Sequence, residues 1–260
     1  MDGAVVGDIL IIISRGGGAF VSRWLHVVVG ITWIGLLYYF NFVQVPAFAE
    51  MDPAARNNAM DKIAWRALWW FRWAAVATVL TGLMILVFQQ YSSNDPQLFD
   101  GDYWKSVFGM SITTGILLAL IMFLNVWGVI WRKQQVVIAN ARNVQAGGEA
   151  NPDAPAAGRL GLMASRQNAI FSLPMLLFMV GTAHFFGGGD WKIAPSSGDR
   201  VLYYVILIVI TGVFELNALG VFGTSPGGTR WMYDSHKNAL ITGFVLVVVY
   251  YVVFYLLFKV

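Results

Sequence analysis

The sequence predicts an all-α fold, a polytopic transmembrane helical bundle of about six transmembrane helices. Three observations predict it. Of the 260 residues, 58% are hydrophobic and only 12% are charged, where a soluble domain is about half apolar and about a quarter charged. Six stretches are long and apolar enough to cross a bilayer core of about 30 Å at 1.5 Å per residue. Mean hydropathy is +0.64 over the whole chain, so the apolar character is general rather than local. Disorder is excluded by the same numbers. Nucleic-acid binding is not indicated, because 17 basic and 14 acidic residues leave a net charge of +3 with no dense basic run.

The spans are expected, in order, near Ala19–Pro46, Arg66–Gln90, Val107–Trp131, Asn168–Phe186, Val201–Phe222 and Ala239–Phe258. Residues 1–18 read as an N-terminal interfacial segment. Within it Val5–Ile13 is apolar but too short to span, and Gly16–Gly18 reads as a hinge. Residues 19–260 read as one transmembrane domain. The longest connection, about 133–167, begins as a basic helical extension. It then reaches Gly147-Gly148-Glu149-Ala150-Asn151-Pro152-Asp153-Ala154-Pro155, a flexible-linker composition.

Lysine and arginine set the expected orientation. One set of ends carries Arg15, Arg23, Lys105, Lys192, Arg200 and Lys259. The other carries Arg56, Lys62, Arg66, Arg72, Arg132, Lys133, Arg142, Arg159, Arg166, Arg230 and Lys237. The richer set should face the cytoplasm. The expected location is the bacterial inner membrane, with both termini periplasmic. Trp65, Trp69, Trp70 and Trp73 on the second span lie level with Trp127 and Trp131 on the third, the pattern of an aromatic belt.

The chain has no cysteine. This excludes a covalent c-type haem, an iron–sulfur cluster, a thiolate zinc site and a cysteine nucleophile. Of the three histidines, His26 lies about two turns into the first span, and His184 lies at the end of the fourth, which runs the other way. Both therefore reach the same half of the membrane. Two neutral imidazoles at one depth are what a haem b between helices requires. Gly30, Trp33 and Gly181 sit within one or two turns of the two histidines, and small residues there would admit a flat macrocycle. The alternative is that each His is a polar helix contact and each Gly a packing site. His236 reads as a solvated loop residue.

Glu215 is the one carboxylate inside an expected span. Arg72, Asn125, Asn168, Asn41 and Gln44 lie at similar depth, with Asn217 close by in sequence. A carboxylate there must find a partner or protonate, and Arg72 is the obvious partner. The functional reading is a polar pocket facing the cytoplasm, for a small planar substrate or a proton path. The structural reading is a Glu–Arg pair that fixes helix packing, and the two stand level. No Rossmann, P-loop, HExxH or nucleophile-elbow pattern is present.

Three segments resemble the N-terminal domain of the membrane-bound urate oxidase (urate hydroxylase) family, in the same order along the chain. They are Arg23-Trp24-Leu25-His26-Val27-Val28-Val29-Gly30-Ile31-Thr32-Trp33-Ile34-Gly35, Leu124-Asn125-Val126-Trp127-Gly128-Val129-Ile130-Trp131 with Gln134-Gln135, and Ser165-Arg166-Gln167-Asn168-Ala169-Ile170-Phe171-Ser172-Leu173-Pro174-Met175-Leu176 followed by His184. Gln167 stands where that family has a His, and Arg132 where a Pro is usual. The first segment is also loosely similar to membrane protoporphyrinogen oxidases and copper-resistance membrane proteins.

The resemblance implies oxidation of urate or another small substrate, coupled to a respiratory chain. The expected partners are the lipid bilayer and a cytochrome c or other subunits of a membrane complex. Under this expectation His26 and His184 hold haem b, with Gly30, Trp33 and Gly181 around it. Glu215, Arg72 and Asn125 are the candidate catalytic residues, and Arg166 and Asn168 bind substrate. The alternative is a non-catalytic structural or accessory subunit of a larger membrane complex.

Overall fold

The computed structural model describes residues 15–92, 100–186 and 194–259, and among these it contains helices and turns but no strand. The first span forms α1 (Arg15–Tyr38), a π turn at Tyr39–Gln44, and α2 (Val45–Glu50). The second comprises α3 (Pro53–Ala59), a π turn at Met60–Ala64, and α4 (Trp65–Ser92). The short α5 (Gly101–Lys105) precedes α6 (Val107–Asn125), a π turn at Val126–Ile130, and α7 (Trp131–Gln145). The long α8 (Ala154–His184), then α9 (Ser197–Ala218) and α10 (His236–Phe258) complete the bundle. Gly16–Gly18 is thus the start of α1 rather than a hinge. The Val5–Ile13 segment, Lys192 and Gly187–Gly189 lie outside the described residues.

Among the described residues, five helical runs are long and apolar enough to cross a membrane: Gly17–Glu50, Pro53–Phe88, Val107–Gln145, Ser197–Ala218 and His236–Phe258. The protein is a membrane protein with an all-α bundle. The fourth expected span, Asn168–Phe186, is the exception. It lies in α8, which is long enough at 31 residues but is not among the apolar runs. The reason is position. α8 packs against α6, α7 and α10 and also touches α1 and α9, so it meets protein on most sides. Its Gln167, Asn168, Ser172 and Thr182 are buried. A helix sheathed by other helices can carry polar side chains that a lipid-facing one cannot.

Hydroxyl bridges tie the helices together within the apolar layer. Tyr38 Oη meets Ser172 Oγ at 2.8 Å, Ser111 Oγ meets Thr182 Oγ1 at 2.7 Å, Thr114 Oγ1 meets Tyr203 Oη at 2.7 Å, and Thr211 Oγ1 meets Tyr250 Oη at 2.8 Å. Such interhelical bonds contribute about 0.6–2 kcal/mol each in a bilayer.

The expected flexible loop at 133–167 is mostly helix, and only residues 146–153 connect α7 to α8. The Gly- and Pro-containing linker is short, and the helices on either side of it bury Ile138, Ala141, Ala157 and Arg166. Pro155 sits in the first turn of α8, where a missing N–H costs nothing.

Candidate functional site

Polar side chains concentrate at one end of the bundle, the end carrying Arg66, Arg132 and Arg230, here called the basic end. Asn125 on α6 donates through Nδ2 to Asn168 Oδ1 on α8 at 3.0 Å and to Glu215 Oε2 on α9 at 3.1 Å. Asn168 in turn donates to the Met122 carbonyl at 2.9 Å. Three helices are therefore knotted by one amide.

Of the expected catalytic trio, Glu215 and Asn125 meet, but Arg72 does not join them. Its guanidinium carbon lies 3.7 Å from the Trp131 ring centroid and 5.8 Å from that of Trp127. The expected Arg72–Glu215 pair is corrected to a Glu215–Asn125 hydrogen bond. The tryptophans read as belt anchors hold the cation instead.

The two expected substrate-binding residues are turned inward. Asn168 is consumed in the knot. Arg166 donates to the Tyr233 carbonyl at 2.5 Å. Tyr233 sits on the 3₁₀ turn Gly228–Tyr233 and donates its hydroxyl to Gln167 Oε1 at 2.6 Å and the Phe214 carbonyl at 3.0 Å. Burial, and then the nearby Glu215 charge, push this phenol far above its usual range, so it stays a donor. Arg159 closes the loop with an ion pair to Asp234 at 2.8 Å.

A cleft of about 550 Å³ opens beside this network. All three π turns reach it: Phe40 and Gln44 come from the first, Met60 from the second and Ile130 from the third. In each, the backbone N–H bonds five residues back, from Val45 to Phe40, Trp65 to Met60 and Trp131 to Val126. A π turn inserts one residue and re-aims side chains, and such turns gather at functional sites.

The polar lining is Gln44, Asn57, Gln134, Asn140, Asn151 and Ser165, with Arg56 at the mouth and no carboxylate. Ser165 is fixed by the Asn41 amide at 2.8 Å. The Oε1 of Gln44 is buried and has no hydrogen-bond partner.

The expected haem residues have other neighbours. His26 is half-buried and turned to α4, with Nδ1 at 3.1 Å from Thr81 Oγ1. A Cβ on Gly82 would lie 3.2 Å from its ring. His184 is exposed. The space beside Gly181 is filled, since a Cβ there would meet the Phe186 ring at 2.4 Å, and Phe186 stacks on Phe178 at 5.1 Å. Gly30 faces open space, and Trp33 is buried with an unpartnered indole N–H. Phe186 thus takes the space beside Gly181 that a macrocycle would need, and Thr81 is the partner His26 has. His236 opens α10 and its ring lies 6.1 Å from that of Phe42.

Sequence reading missed Tyr233, Asn57, Asn140 and Asn151 as parts of this end, because all four lie outside the expected spans, where polar residues are common. Gln44 was visible as a polar residue inside an apolar run, and Gln134 through the resemblance. No protein-family model matches the chain, and neither a curated protein nor a solved structure matches it.

Proposed function

We propose that the protein is a multi-pass protein of the bacterial cytoplasmic membrane that takes a small, planar, nitrogen-rich anion of the urate type into the cleft at its basic end. The observation that supports this most is the convergence of three π turns on a mostly apolar cleft whose polar lining is five amides, one hydroxyl and one guanidinium. Primary amides both donate and accept, so they match the alternating N–H and C=O edge of such a heterocycle. Arg56 would balance its charge, and Phe40, Met60 and Leu68 in the lining offer apolar contact for a flat ring. The urate oxidase resemblance points to the same substrate class. The lysine and arginine bias puts this end in the cytoplasm and both termini outside.

Oxidation of such a ligand needs an electron acceptor. This reading assigns the acceptor to another chain, a cytochrome c or another subunit. A second reading, an accessory subunit of a membrane complex, draws on the Glu215–Asn125–Asn168 knot, whose hydrogen bonds all serve to brace helices.

The test is thermal unfolding of the detergent-purified chain with increasing urate. Stabilisation that saturates is expected, and Gln44→Ala or Gln134→Ala should weaken the apparent affinity about 3- to 10-fold, the worth of one hydrogen bond. A melting temperature insensitive to urate would leave the accessory-subunit reading.

A further inference from the structure

We propose that Arg72 and Arg132 hold the phosphate of an anionic phospholipid against the outside of the bundle at its basic end. Arg72 is the starting point. It is stacked on Trp131, its Nε is buried without a hydrogen-bond partner, and no carboxylate pairs with it. The ion pairs of the described residues lie elsewhere, at Asp61, Asp102 and Asp234. Stacking fixes the plane of the guanidinium but satisfies none of its N–H groups, and an arginine fork matches phosphate oxygens.

Beside the stack lies a shallow hollow of about 480 Å³, lined by Leu124, Trp127, Gly128, Trp131, Arg132 and Gln135. These residues fall on a helix face next to, and distinct from, the one that lines the amide cleft. Gly128 leaves the hollow open, since a Cβ there would touch nothing within 4 Å. Arg132 and Gln135 are exposed at one end. At the other, Leu124 is 64% exposed, where an acyl chain would lie. Trp69, Trp70 and Trp73 are exposed on the neighbouring helix, which puts the hollow at headgroup level.

Charge decides the occupant. Arg132 in the lining, Arg72 stacked on its Trp131 wall and no acid among the lining residues complement an anionic headgroup, and basic pockets between spans at the cytoplasmic face take such lipids. A second copy docked here by two-fold symmetry would set arginines against arginines.

The experiment is native mass spectrometry of the delipidated full chain in neutral detergent, offered equal amounts of dioleoyl phosphatidylglycerol and dioleoyl phosphatidylcholine. Phosphatidylglycerol should be retained in preference by about fivefold or more, and Arg72→Gln and Arg132→Gln should each reduce that preference by about fivefold. Arg132 is exposed, so its variant keeps the test decisive if Arg72→Gln does not fold. Arg23→Gln, at the opposite end, should change nothing, and inorganic phosphate should not displace the lipid. Equal retention of the two lipids would overturn the proposal. So would a preference untouched by Arg132→Gln, displacement by inorganic phosphate, or a lipid-free dimer.

Discussion

One side-chain amide governs the buried polar centre. Asn125 Nδ2 serves two acceptors, one on α8 and one on α9. Asn125→Ala therefore strands both the Asn168 carbonyl and the Glu215 carboxylate, and should cost about 1–3 kcal/mol for each unsatisfied group. Glu215→Gln keeps an acceptor in place and should shift stability by less than about 1 kcal/mol. Chemical unfolding in detergent ranks the two, and a more damaging Glu215→Gln would mean that the carboxylate has a partner other than this amide. Sequence reading had brought Glu215, Asn125 and Asn168 to one depth from helix position alone. It mispaired Glu215 with Arg72 because depth along a helix is legible from hydropathy and rotation about its axis is not. The same limit explains the histidines: His26 and His184 belong to the same end, but one faces α4 and the other faces outward.

At the scale of elements, close approach of helices decides which glycines matter. Pro174 in α8 has no N–H to offer the Ile170 carbonyl. Gly243 of α10 comes up against that point, where a Cβ would lie 3.2 Å from the Ile170 oxygen and 2.7 Å from Leu173 Cδ1. Gly243→Ala should destabilise by about 1–3 kcal/mol through overpacking. Gly212→Ala has nothing within 4 Å and should stabilise by up to about 1 kcal/mol through helix propensity. Thermal melts of the two variants check the contrast, and equal effects would contradict the packing of α10 on α8. Five spans were legible from hydropathy because lipid demands an apolar surface all round. α8 is different, since its neighbours are helices. The π turns left no mark in the sequence, because the same residues form an α-helix equally well until tertiary packing inserts the extra one.

For the whole molecule, the bundle has a polar, basic end with a cleft and an opposite end carrying His26 and His184. The basic bias predicts that the first end lies in the cytoplasm. The absence of cysteine makes this easy to check with single introduced cysteines. In intact cells, Gly198→Cys at the start of α9 should react with a membrane-impermeant maleimide once the outer membrane is opened. Ala146→Cys, in the α7–α8 connection, should react only after the inner membrane is breached. The reverse pattern would invert the assigned orientation and put the cleft outside the cell.

The central claim is that the cleft at the basic end is a binding site for a small nitrogen-rich anion. Equilibrium dialysis of radiolabelled urate against the purified full chain tests it most directly, comparing the native protein with Gly158→Trp. Gly158 lines the cleft, and an indole there would fill it. The account predicts saturable uptake of one urate per chain, abolished in Gly158→Trp while the protein stays folded. Absence of saturable uptake, or uptake unchanged when the cleft is filled, would contradict it.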